Sequence, residues 1–424
     1  MGAARHARHR LAHAGMEIAK PRTIFAGFGE DGDLPVLPPI VAHEPMTDGW
    51  RGLTADGEVL EIRGSNGHRA SVPENELIVM REGQAVGRRA IKDPGNVSYY
   101  LSHYNTAIEF YRYGQCETAL AEIDAAIASA STVRARFNRA LILLAMGRWR
   151  EGFAQYEDRF DLSGPAFPPA PAGVPRWRGE NIAGKRLLLL HEQGFGDSIM
   201  MLRYVPALRA MGADVVLDVP AELARLAGQL APVMAASEAR ADFFCPFMSL
   251  LHVLDATPQT VPRGPYLAVD RSLVAQWRER LPSAGCRRVG IAWSVSNSIP
   301  LDFPRAIPLG LLVGGLGYGI DLYSIQKQGA NEAGRYSVKA FPLADFADVA
   351  ALISLMDEIM AVDTAALHVA GAIGHGNVTA LLSHWCSWRW RDNPFYPTIR
   401  LCRQVAPGDW NSALAQIKER ASCQ

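Results

Sequence analysis

From Arg186 to the C-terminus, short apolar runs alternate with helix-patterned stretches, and this alternation limits the fold more than any other feature of the chain. The runs 186–190, 214–219, 288–293, 320–325, 358–362 and 378–382 read as strands. Between and after them, 198–211, 221–230, 272–281, 346–355, 364–373 and 410–420 read as helices. Strands that are apolar throughout are buried on both faces, the condition of a parallel sheet covered by helices. Roughly 240 residues suffice for two such sheets at ordinary domain sizes. The expected split near 281–287 gives one doubly wound half over 184–283 and another over 284–424. Ligands of such sheets sit at the carboxyl edges of the strands, so two facing halves enclose a cleft.

Upstream the signals differ. Five prolines between Ser163 and Pro175 make a stiff segment, and a linker is expected over 163–183. Residues 96–162 carry a helical pattern in which Gly114 follows Ala107 and Phe110 and precedes Ala119, Ile123 and Ala126. A second, worn copy places Gly147 33 residues on, with Ala140 and Leu143 before it and Tyr156 after. The spacing resembles the tetratricopeptide repeat, whose small residues let antiparallel helices pack closely, although a free-standing array needs roughly three units. Such helices could grip a peptide or merely form a structural hairpin. Residues 16–95 hold short β-prone runs at 22–25, 59–62 and 76–80 between turn signals, so a small β-rich region is expected there. Asp31-Gly32-Asp33 has the spacing of a metal-binding carboxylate pair, but in a stretch rich in Gly and Asp it reads as an ordinary turn. Met1 to Gly15 is basic without an apolar core, which reads as a disordered tail rather than a secretory signal.

Composition removes several function classes. Lys plus Arg equals Asp plus Glu at 43 each, so the field expected of a nucleic-acid or anionic-membrane binder is lacking. No apolar run is long enough for a membrane span. Six cysteines without a C-x-x-C pair suit reduced thiols in a cytoplasm better than disulfides or zinc. The motifs H-E-x-x-H, G-x-S-x-G and G-x-x-x-x-G-K-[ST] do not occur.

Two strand-to-helix junctions carry the candidate chemistry. At the first, Leu190 gives way to His191-Glu192-Gln193-Gly194-Phe195-Gly196-Asp197. Gln193, Gly194 and Gly196 form a tight loop, and Asp197 could cap the next helix or take a proton from an acceptor hydroxyl. At the second, the strand ending at Val362 runs into Asp363-Thr364-Ala365. A helix start has free N–H groups and a positive dipole end, which suit a phosphate. Thr364 and the amide of Ala365 would take it, Asp363 would hold sugar hydroxyls, and His368 lies on the same face as Thr364. Gln326 and Lys327 end another strand, where Lys327 could neutralise a diphosphate and Gln326 bond a base or sugar. Arg305 is a further basic group at that edge. The run His384–Arg391 holds three tryptophans, which could stack on a base or fill a core.

With these residues in place, the chain resembles the bacterial proteins that join tetratricopeptide repeats to a glycosyltransferase domain of the heptosyltransferase type. The resemblance rests on Leu188–Asp197 with Arg203-Tyr204, on Gly290–Trp293, on Ser324–Lys327 and on Val362–Ala372. The ending Tyr396–Leu401 through Pro407–Trp410 adds to it. It spans about 96–424 and implies a GT-B arrangement of two facing Rossmann-like halves. It also implies a nucleotide diphosphate sugar as co-substrate, held mainly by the C-terminal half, and no metal or other cofactor. Asp197 maps to the proposed base, and Asp363, Thr364 and His368 to the donor-contacting motif. The acceptor would be a protein gripped by the helices, or a glycan. The rival expectation is a scaffold that keeps the transferase fold without catalysis. Two departures stand out: the loop 294–302 has few charges where relatives are Asn-, His- and Arg-rich, and His375-Gly376-Asn377 replaces the usual proline after Gly374.

Overall fold

The computed structural model describes seven strands within 21–90 and residues 97–162, 171–283, 285–295, 305–327, 329–385 and 387–421. The expected tail, the Asp31–Asp33 turn and the loop 296–304 lie outside the described residues. The chain divides into two compact units, His13–Gly164 and Pro165–Gln424.

In the first unit, β1 (Pro21–Ala26), β2 (Ile40–Met46), β3 (Gly49–Thr54) and β4 (Val59–Gly64) form a sheet of order β1-β4-β3-β2. β5 (Ala70–Ser71), β6 (Glu76–Arg81) and β7 (Gln84–Ala90) form an antiparallel one. Four helices follow: α1 (Val97–Arg112), α2 (Cys116–Ser129), α3 (Val133–Ala145) and α4 (Trp149–Tyr156). Gly114 and Gly147 turn the two hairpins with φ of 74° and 80°, values that favour glycine because it has no Cβ. Ala107, Ala119, Ile123, Ala126 and Ala140 are fully buried, which lets the helix axes approach. Two buried polar contacts fix α1 against the α3 end: Tyr100 Oη with Thr132 Oγ1 at 2.9 Å, and Asn138 Nδ2 donating to Tyr104 Oη at 2.7 Å.

The second unit is mixed α/β with parallel sheets. Its first half comprises β8 (Arg186–Leu190), α5 (Phe195–Met201), α6 (Val205–Ala210), β9 (Asp214–Asp218), α7 (Ala221–Ala227), β10 (Phe243–Pro246), α8 (Leu250–Val253) and α9 (Arg271–Arg280). The strands pair in parallel in the order β10-β8-β9. Residues before β8 pack here too: Trp177 is buried and its N–H bonds to Phe244 O at 2.8 Å. The second half comprises β11 (Arg287–Ala292), α10 (Leu309–Leu316), β12 (Ile320–Ser324), α11 (Ala330–Ala333), α12 (Phe346–Ile353), β13 (Glu358–Val362), α13 (Ala365–Ala372), β14 (Val378–Leu382), β15 (Arg400–Arg403) and α14 (Trp410–Ala421). Its parallel sheet has the order β12-β11-β13-β14-β15. β13 and β14 are buried along their whole length, as the mostly apolar central strands of a parallel sheet between two helix layers are, and they take Glu358 and Thr379 inside with them. Among the described residues no helix is long and apolar enough to cross a membrane.

The helix expected at 198–211 begins three residues early and breaks. Leu202–Tyr204 tightens to a 3-10 turn, and Pro206 opens α6, where its missing N–H does no harm. Sequence reasoning passed over α10, whose Gly310, Gly314 and Gly315 argue against a helix. Packing explains two of them. A Cβ at Gly310 would stand 2.8 Å from Tyr336 Oη, and one at Gly315 2.8 Å from Leu414 Cδ1.

The two halves meet through α12, which packs on α7 and α9, and through α13 on α5. Arg225 donates to both oxygens of Asp345 at 2.9 and 2.8 Å. Trp277 Nε1 donates to Asp348 at 3.1 Å. Arg203 is the deepest tie. It is 2% exposed, and its guanidinium donates to Pro262 O at 3.0 Å and to Phe395 O at 2.8 Å. Three rings, of Tyr266, Phe395 and Tyr396, lie within 5.0 Å of its central carbon.

Candidate active site

The first junction is built as the glycine spacing suggested. β8 ends at Leu190, Gln193 turns the chain with φ of 61°, and Gly194 caps α5 with extended backbone. Glu192 is buried under this turn and accepts from Met248 N at 2.8 Å. His191 bonds through Nδ1 to Ser198 Oγ at 2.7 Å, and burial pushes its imidazole below the usual range. Asp197 sits in the first turn of α5, where a carboxylate favours the dipole, and one of its oxygens accepts from Gly194 N at 3.3 Å. Its other oxygen lies 2.5 Å from Arg389 Nη2. Asp197 is therefore the third residue of α5, with Gly194 rather than Asp197 at the cap position, and its other oxygen faces Arg389 of the other half.

At the second junction, β13 ends at Val362 and Thr364 is the extended N-cap of α13. The Thr364 hydroxyl makes no cap bond, and Oγ1 is buried without a hydrogen-bond partner among the described residues. Asp363 Oδ1 accepts from Trp390 Nε1 at 2.8 Å, and Oδ2 from Arg305 Nη1 at 3.3 Å. Burial would push this carboxyl up, but the charge of Arg305 leads the opposing effects that hold it below the usual range. His368 is 4% exposed, bonds through Nδ1 to Tyr396 Oη at 3.2 Å, and has Nε2 3.9 Å from Asp363 Oδ1. Burial lowers its pKa to about 4, so the ring is neutral near pH 7.

The junctions come together because α5 and α13 pack closely. A Cβ on Gly196 would fall 2.7 Å from His368 Cδ2, and one on Gly371 2.3 Å from Tyr396 Cδ1. Polar groups run through this contact. Tyr266 Oη donates to Ile199 O at 2.9 Å and meets Tyr396 Oη at 3.0 Å, which in turn meets His368.

The other expected residues are placed differently. Arg305 joins Asp363. Lys327 is exposed beyond β12. The Gln326 amide ties the strand ends together: Oε1 accepts from Trp293 N at 2.8 Å and Ser294 N at 3.0 Å, and Nε2 donates to Ser294 Oγ at 2.7 Å. These bonds tie the end of β12 to the residues that follow β11. The tryptophans took the core role, since Trp388 and Trp390 are 2% and 0% exposed. Arg389 between them was missed, its charge hidden in a run read for its rings. Among the described residues no cluster of three or more His, Cys, Asp or Glu could hold a metal ion.

No family model matches the chain. Protein FlbA of Caulobacter vibrioides is 28% identical to it over 427 residues, a span covering 87% of this chain and 70% of that protein. Among solved structures it is similar to a glycosyl transferase family 9 protein from Veillonella parvula, with a TM-score of 0.43 and 10% identity over 58% of this chain and 99% of that one. It is also similar to E. coli heptosyltransferase WaaC with ADP, with a TM-score of 0.35 and 15% identity over 56% and 98% of the two chains.

Proposed function

We propose that the chain is a glycosyltransferase that moves a sugar from a nucleotide diphosphate sugar to a hydroxyl of a protein or glycan. One observation carries the reading: the α5 and α13 starts lie in contact, with Gly196 against His368, so Asp197 and Asp363 border one place. The α13 start and Thr364 Oγ1 would receive the diphosphate, with Arg305 and Lys327 countering its charge. The carboxylate of Asp363 has lone pairs left for sugar hydroxyls after Trp390 and Arg305 are served. Asp197 would accept the acceptor's proton as its oxygen bonds to the anomeric carbon and the bond to the diphosphate breaks. The helical hairpins of the other unit, read as tetratricopeptide-like, would hold a protein acceptor or partner.

A second reading is favoured by the closure of Asp197 under Arg389: a scaffold that keeps the fold and transfers nothing. Thermal-shift screening against UDP-, GDP-, CMP- and ADP-sugars separates the two. A shift with one donor, lost in Asp363→Ala, is the result expected of the transferase. No shift with any sugar nucleotide would leave only the scaffold.

A further inference from the structure

Consecutive residues of one short 3-10 turn, Trp388–Trp390, grip both candidate carboxylates. Trp390 donates to Asp363, and Arg389 holds Asp197 with side chains 8% and 11% exposed. The turn belongs to the second half and Asp197 to the first. The Arg389 guanidinium rests on the Trp388 ring, 4.5 Å from its centre. Its charge also bears on Asp363 and His368. A carboxylate bound by a guanidinium on one oxygen and an amide on the other is a poor proton acceptor. A diphosphate outcompetes a carboxylate for that guanidinium, because it carries more charge and suits a two-pronged donor.

We propose that Arg389 is a donor-responsive latch on Asp197, drawn off the carboxylate by the diphosphate of a bound nucleotide sugar. The inference rests on the transferase reading and deepens it. With donor absent, the base is masked. With donor bound, Arg389 neutralises the leaving nucleoside diphosphate, which takes the electron pair of the broken anomeric C–O bond. Asp197, now free, takes the proton of the attacking hydroxyl as the new C–O bond forms.

The test is calorimetric titration of ADP, GDP, UDP and CDP, each against its parent nucleoside. For the diphosphate that binds wild type, Asp197→Asn should tighten binding about tenfold, because the phosphate no longer competes with a carboxylate. Arg389→Gln should weaken it about tenfold, and nucleoside affinity should not change in either. The tightening should vanish in the double variant Asp197→Asn/Arg389→Gln. That variant buries no unpaired charge, so the comparison survives if Arg389→Gln alone folds poorly. An unchanged affinity in Asp197→Asn, or a gain that persists in the double variant, overturns the latch while the transferase reading stands. If no nucleoside diphosphate binds wild type, both fall.

Discussion

Gly196 lies against the imidazole of His368, so close that any side chain at 196 would have to displace the ring. The glycine that a sequence reader assigns to a tight loop is thus required by the opposite half. Gly196→Ala would place a methyl 2.7 Å from His368 Cδ2, and overpacking of this kind destabilises by about 1–3 kcal/mol. Gly194→Ala is the control, since its Cβ would approach only Asp197 Oδ2 at 3.4 Å and its φ of −100° suits alanine. Urea unfolding should separate the two variants by at least about 1 kcal/mol. Equal midpoints would mean that α5 and α13 do not pack as described.

The same imidazole sets a pH dependence. His368 has a pKa of about 4 in the fold, depressed by burial, against about 6.5 in the unfolded chain. Between those values the unfolded state binds the extra proton, so stability rises with pH through this window and is complete above it. As pH falls from 6.5 toward 4, about 3 kcal/mol is lost through this residue. His368→Asn removes the titrating group, so its stability should fall less steeply than wild type over the same range. Parallel curves from pH 7 to pH 4 would contradict the buried neutral histidine.

Arg203 should matter through geometry more than charge. It ties the halves by donating to Phe395 O of the second half while also holding Pro262 O of its own. Arg203→Met keeps the aliphatic packing against the rings but strands those carbonyls, at about 3 kcal/mol. Arg203→Lys should recover only part, because an ammonium is a compact point donor without the planar fork that reaches the two carbonyls and lies on the rings. Chemical denaturation is the measurement, and a loss below about 1 kcal/mol in Arg203→Met would remove Arg203 as the tie between halves.

The fold was legible where hydrophobic pattern is local. β8, β13 and β14 match the expected strands residue for residue, because short, mostly apolar runs of five bounded by polar residues or turns are too short for a buried helix. β10 and β15 escaped: the apolar run of β10 is interrupted by Pro246, which argues against a strand, and β15 (Arg-Leu-Cys-Arg) has no apolar run. The site divides in the same way. Asp197, Asp363, Thr364 and His368 could be named because strand-to-helix junctions announce themselves in sequence. Arg389 could not, since its partner lies 192 positions away and nothing local marks a bridge between halves. Gln326 was named for its chemistry, yet its amide closes the backbone of residues 293–294, a use that only the strand order reveals.

Thr364 offers the sharpest separation of binding from folding. Its Oγ1 is buried, makes no cap bond and meets no partner among the described residues, although it sits at the start of α13. A buried hydroxyl left unpaired costs about 1–3 kcal/mol, so a fold that retains one has use for it elsewhere. Thr364→Val keeps the shape and removes the oxygen. Thermal stability without ligand should hold or rise, while affinity for the donor found by screening should fall about tenfold, the worth of one charge-assisted hydrogen bond. Thr364→Ser restores the oxygen and should restore most of that affinity. Melting and titration of the three proteins decide the matter: a Val variant that loses stability but binds normally would make Thr364 a structural residue and take the diphosphate away from the α13 start.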